Sequence, residues 1–193
     1  FFNHTAPNNA VPIAEELSDS YEIGLKSQFA DDMVQLNVAA FSVTYDGFQA
    51  NNFIVVNGAT VSNLTNAGSV RSEGFEADLV IAPIDGLNFR ASAAYADARV
   101  LRFNPDPRNN APDARNGTRL PLAPEFVYTI GADYTGNLDD AARVYINTDF
   151  RHTSSQFSDL GQIGPIDPFG IWNASLGFSD PDDKYRLTFH VRN

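Results

Sequence analysis

Apolar and polar positions alternate along most of this chain with a period of two. From residue 20 to 29, Tyr21, Ile23, Leu25 and Phe29 fall on one side, with Ser27 among them, and Glu22, Gly24, Lys26 and Gln28 on the other. A period of two marks a strand with one apolar face and one wet face. The same alternation runs through 75–81, 87–95, 126–134, 144–151, 172–178 and 185–192. The stretch 34–48 changes phase part-way. Leu36, Val38 and Ala40 share one side, then Phe41, Val43 and Tyr45 take the other, which predicts a β-bulge near 39–41. Helical periodicity is nearly absent: 14–17, one turn at most, and 139–143 are the best candidates.

The pattern predicts an all-β chain of about eight strands, each about 9–14 residues long. Ordinary globular strands run to about 5–6 residues, whereas tilted strands of about 9–11 cross a bilayer. The connections sort by length. Short turns fall at 30–33, 83–86, 136–142 and 180–184, rich in Asp, Gly, Pro and Asn; long connections fall near 49–65, 104–124 and 156–168. Short turns on one rim and long loops on the other describe an antiparallel up-and-down meander in an outer-membrane barrel. Aromatics sharpen the picture. Phe29, Phe89, Tyr134, Phe178 and Tyr185 lie near the short turns, and Tyr21, Tyr95, Phe126, Tyr128, Phe150 and Trp172 near the long loops. Two belts on one apolar face match the girdles at membrane interfaces.

Composition agrees. The 193 residues carry 13 Lys plus Arg against 24 Asp plus Glu, a formal net charge of −11, with no cysteine. The acidic balance argues against nucleic acid as a partner, and the missing cysteines exclude a disulfide scaffold and a Cys-based metal or redox site. No apolar run exceeds four residues, so neither a transmembrane helix nor a signal-peptide core is predicted. A barrel strand shows no such run.

Several segments are similar to those of one known family. Residues 20–27 (Ser20-Tyr21-Glu22-Ile23-Gly24-Leu25-Lys26-Ser27) resemble a strand of TonB-dependent outer-membrane receptors. So do Asn66-Ala67-Gly68 and Ser72-Glu73-Gly74-Phe75-Glu76. Leu120-Pro121-Leu122-Ala123-Pro124-Glu125-Phe126 resembles the lead-in to a later strand of the family. Asn173-Ala174-Ser175-Leu176-Gly177-Phe178 and Val191-Arg192-Asn193 resemble its last strands. The resemblance implies a segment of an about 22-stranded barrel filled by an N-terminal plug. At about 24 residues per strand with its connection, such a barrel needs roughly 530 residues. The expectation is therefore that 1–193 is a partial barrel domain near the C-terminal end, without the plug, the energy-coupling box or the final strand. Residues 1–14 would then be the remnant of an extracellular loop.

Catalytic and metal signatures are lacking. His4, His152 and His190 have no partner at ligand spacing, and no P-loop, nucleophile elbow or zinc motif occurs. Asp106, Asn109, Asp113 and Asn116 faintly resemble a calcium loop, which Pro105 and Pro107 interrupt. Neither an enzyme nor a cofactor is expected. Arg108, Arg115 and Arg119 in the 104–124 loop are the candidate contacts for an anionic ligand. The resemblance implies a bacterial outer-membrane transport receptor. It would bind a scarce nutrient, most often a ferric siderophore, outside the cell and import it with TonB-supplied energy. Outer-membrane lipid and lipopolysaccharide would surround it. A passive porin and a soluble carbohydrate-binding β-sandwich are the alternatives.

Overall fold

In the computed structural model, which describes residues 13–56, 59–103 and 113–193, each period-two stretch is a strand. In chain order they are β1 (Leu17–Phe29), β2 (Val34–Val56), β3 (Ala59–Ile84), β4 (Leu87–Phe103), β5 (Phe126–Asn137), β6 (Arg143–Thr153), β7 (Gln156–Phe157), β8 (Pro165–Ile166), β9 (Phe169–Ser179) and β10 (Arg186–Arg192). All but β7 and β8 form one eight-stranded antiparallel sheet in the order β1-β2-β3-β4-β5-β6-β9-β10. Neighbours in the sheet are neighbours in sequence, apart from the small β7–β8 hairpin set into the connection at 156–168. β1 and β10 are its two edges, so the sheet is neither a closed eight-stranded barrel nor half of a face-to-face sandwich.

Direct cross-strand partners share a face, so the register sorts side chains without further assumption. One row runs Leu36, Leu79, Ala91, Ile130, Phe150, Trp172 across six strands. The row one residue away runs Lys26, Asn37, Asp78, Ser92, Thr129, Arg151. The first row is apolar throughout, and the second is polar from β1 to β6 and ends on Ile171 in β9, as the alternation largely requires.

Among the described residues no second layer covers the apolar face. Ile23 is 77% exposed, Phe75 50% and Trp172 50%. Of the five buried hydrophobic residues described, four gather at the long-connection end, where Ala67, Val70, Val100 and Phe103 pack with Phe48, Leu120 and Leu160; the fifth, Val144, follows the short turn at 136–142.

Four details depart from the sequence reading. The β2 register passes through 39–41 without a break, and its irregularities lie at Asp46–Phe48–Gln49, where Gly47 has φ +70°. The change of phase at 41 has another cause: beyond Ala40 the apolar side of β2 continues as Ser42, Thr44 and Asp46. Phe41, Val43 and Tyr45 meanwhile face the polar side, opposite Gly74, Ser72 and Val70. The strand has left the apolar medium, so apolarity no longer belongs to that face. The connection expected at 49–65 is paired strand, running from Gln49 opposite Asn66 to Val56 opposite Ala59. Residues 14–16 are irregular and lead into β1, and 138–141 form a bend that leads into β6, so neither 14–17 nor 139–143 is helical. Finally, Arg119 bridges Arg99 within the loop at 104–124, which adds a short pairing to the end of β4.

Candidate functional site

The apolar face carries its aromatics in register. Phe75 stacks on Tyr95 at 5.5 Å between ring centroids, and Tyr95 pairs with Phe126. Tyr128 bridges Phe126 at 5.7 Å, Phe150 at 6.1 Å and His152 at 5.1 Å. The belt is thus continuous from β3 to β6 at the long-connection side. Trp172 and Thr148 on this face satisfy their polar atoms locally. The Trp172 indole N–H donates to Thr148 Oγ1 at 2.9 Å, and the Thr148 hydroxyl donates to the Asn173 carbonyl at 3.1 Å. A medium without water demands such pairing. A shallow groove lined by Leu79, Phe89, Ala91, Ile130, Ala132 and Trp172 opens on this same face.

The polar face is cross-linked by ion pairs and amides. Arg90 meets Asp133 at 2.6 Å, Asn88 donates to the other oxygen of Asp133 at 2.9 Å, and Asn173 donates to Asp149 at 3.0 Å. His190 lies on this face opposite Ser175, while His152 lies in the aromatic belt. His4 lies outside the described residues. Among the described residues no group of His, Asp and Glu is arranged to hold a metal ion.

Of the candidate arginines, Arg108 lies outside the described residues. Arg115 grips Asp113 through Nε at 2.7 Å and Nη2 at 2.8 Å, and its guanidinium lies 3.9 Å from the centre of the Phe103 ring. Arg119 pairs with Glu125 and stands in register with Arg99, which puts it on the apolar side of the sheet. The two therefore belong to separate ion pairs. The alternation contains a further set of charged residues. Beyond Phe75 and Tyr95, that same side continues as Glu73 and Arg71 on β3 and as Asp97 and Arg99 on β4.

The Arg115 side chain, and then its backbone N–H, donate to Asp113 and hold its carboxyl below the usual carboxylate range. A carboxylate with a lowered folded pKa contributes stability above its unfolded value, about 3.9, and loses it as pH falls through the folded value. The 113–120 segment is expected to keep its protection from limited proteolysis between about pH 5 and 8 and to lose part of it only below about pH 3.9. Asp113→Asn should lower the protection at neutral pH and flatten this dependence. A wild-type loop that loosens already near pH 6 would mean that another group controls it.

The fold and its two faces have close counterparts. The sequence matches the family described as TonB dependent receptor-like, beta-barrel, over residues 2–193. The chain belongs to this family. Similar solved structures include the ferric yersiniabactin uptake receptor FyuA from Yersinia pestis, at 17% identity and a TM-score of 0.77, covering 99% of this chain and 27% of that one. The ferric preacinetobactin receptor BauA from Acinetobacter baumannii matches at 15% identity and 0.68, covering 95% and 25%. The copper transporter OprC matches at 15% and 0.67, covering 94% and 26%. This chain thus spans about a quarter of the length of the solved receptors it matches.

As a TonB-dependent receptor barrel wall, the sheet resides in the bacterial outer membrane. Its apolar face meets lipid and its polar face lines the lumen. The short turns mark the periplasmic rim and the long connections the extracellular rim. The groove beside Trp172 consequently faces acyl chains rather than the extracellular vestibule.

Proposed function

We propose that this segment forms part of the wall of an active-transport receptor that captures a scarce nutrient outside the cell and imports it with energy relayed through TonB. The observation that carries the reading is the family match over residues 2–193, joined to a wall with one lipid face and one polar face. We further propose a ferric siderophore as the substrate; FyuA and BauA are named for ferric yersiniabactin and ferric preacinetobactin. A plug inside the lumen would contact TonB, and the wall itself would make and break no bonds.

Of the two described arginines, Arg115 is the better placed for an anionic ligand. It sits over Phe103 in the extracellular cluster, whereas Arg119 faces outward beside Arg99. Uptake of a ferric siderophore by cells carrying the full-length receptor should vanish when TonB is deleted. Uptake that persists without TonB would point to passive diffusion and overturn the reading. Deleting residues 106–118 should leave assembly intact, because shortening a surface loop costs little, yet lower uptake several-fold. Unchanged uptake at equal surface abundance would remove this loop from the ligand site.

A further inference from the structure

On the lumen side, above the aromatic belt, the wall turns apolar. Tyr45, Val70 and Val100 stand opposite one another on β2, β3 and β4, and Phe48 and Phe103 flank Gly68. Water fills a lumen, and apolar side chains turned towards it gain by being covered. Val100 is only 1% exposed and Val70 4%. Two separate connections supply the cover: Leu120 comes from the segment after 113, and Leu160 from the loop between β6 and β9.

The two leucines arrive by different routes. Residues 117–120 extend the sheet above the start of β5. The Gly117 N–H donates to the Val100 carbonyl at 2.7 Å, the Val100 N–H to the Thr118 carbonyl at 2.9 Å and the Leu120 N–H to the Ala98 carbonyl at 2.9 Å. Arg119 shares the lipid side with Arg99, so Leu120 next to it faces the lumen. The other loop starts two strands away, because β5 separates β6 from β4. Leu160 therefore reaches about 10 Å sideways, two strand spacings, to meet the cluster. A built turn carries it there. The Ser158 N–H donates to the Gly164 carbonyl at 2.8 Å, and the Asp159 carboxylate accepts from the N–H groups of Ile163 at 3.3 Å and Gly164 at 2.8 Å. The connections also touch directly, the Leu122 N–H donating to the Phe157 carbonyl at 2.8 Å.

We infer that the two extracellular connections are interlocked through Leu120 and Leu160, so that 117–122 and 156–166 loosen together and not one at a time. Side chains that share packing partners couple energetically. When either leucine leaves, water reaches Val70 and Val100, and the leucine that remains buries less apolar surface than before. The bond between Leu122 and Phe157 breaks with the same movement. Such coupling is reciprocal, so whatever frees one segment frees the other. A contact made at either connection thus changes the freedom of both. The inference concerns the wall itself and is independent of which nutrient is carried.

Amide hydrogen exchange of the full-length receptor, assembled in lipid nanodiscs, tests the interlock. Leu160→Ser should speed exchange at the Leu120 and Leu122 amides roughly fivefold, although the substitution lies in the other connection. Leu120→Ser should do the same at the Ser158 and Gly164 amides. Ile163→Ser is the control: it sits on the same turn as Leu160 but is 85% exposed, and it should change neither segment. Residues 75–81 should exchange alike in all variants. The double variant should speed each segment by less than the product of the single effects. Heat-modifiable migration on gels follows assembly in parallel, and Leu160→Ala and Leu120→Ala replace any Ser variant that fails to assemble. Loosening confined to the substituted connection, or a double variant whose effects multiply, overturns the inference.

Discussion

Leu79→Arg is expected to cost the folded barrel about 2–4 kcal/mol, while Asp78→Arg, its neighbour in sequence, should stay within about 1 kcal/mol. Leu79 stands between Leu36 and Ala91 in an unbroken apolar row that lipid covers. A guanidinium there must be desolvated or must drag water and headgroups inward. Asp78 stands between Asn37 and Ser92 on the polar row, where the lumen hydrates a new charge. Urea unfolding of the receptor in lipid vesicles, read as the fraction showing folded migration, separates the two. Equal losses would mean that the faces are assigned the wrong way round.

The same contrast explains how much of the fold the sequence discloses. Period-two alternation exists because one medium is hydrocarbon and the other is water. Where both conditions hold, as in β1 from Tyr21 to Phe29, the strand, its face and its short turn are all legible. Where the outside medium changes, legibility fails. At Ala40 the lipid side of β2 turns to Ser42 and Thr44, and the reversed alternation imitates a bulge. Further out, 49–65 shows no apolar and polar sorting, yet its backbone pairs from Gln49 opposite Asn66 to Val56 opposite Ala59. Ladder hydrogen bonds hold such a pair without hydrocarbon on either side, and no periodicity records them.

The candidate site was less legible than the wall. Charge count in the loop groups Arg108, Arg115 and Arg119 together. It could not show that Arg115 folds back on Asp113 and Phe103, nor that Arg119 extends the β4 ladder beside Arg99. Those outcomes depend on loop backbone, not on spacing. The charged set beyond the aromatic belt is in principle readable. Arg71 and Arg99 continue the phase of Phe75 and Tyr95, and charged residues in phase with a lipid-facing stripe mark where the strand emerges from it. Only the cross-strand register, which unites residues far apart in sequence, brings them together.

Gly68→Ala is expected to disrupt the extracellular end of the wall while leaving the lipid-embedded rows intact. Gly68 has φ +136°, a region that a side chain strongly disfavours, and a Cβ placed there would lie 1.8 Å from the Arg102 carbonyl oxygen. Strain of this kind costs about 1–3 kcal/mol before the β4 backbone has moved at all. The neighbourhood transmits the damage. Ala67 and Phe103 flank the site in the buried cluster, and Asn66 ties three chain segments together. It donates to the Gly47 carbonyl at 2.7 Å and the Ala14 carbonyl at 3.1 Å and accepts from the Ala14 N–H at 2.8 Å. Displacing β4 from Gly68 pulls Phe103 off this cluster and removes the ring on which Arg115 rests. Gly117→Ala is the control: its φ is +81°, but a Cβ there meets nothing within 4 Å, so only the backbone preference, about 1–2 kcal/mol, is at stake. Amide hydrogen exchange of the assembled receptor should show faster exchange across 66–70 and 99–103 in Gly68→Ala than in Gly117→Ala, with 75–81 unchanged in both. Indistinguishable profiles for the two variants would mean that the close approach of Gly68 to β4 does not hold the extracellular rim together.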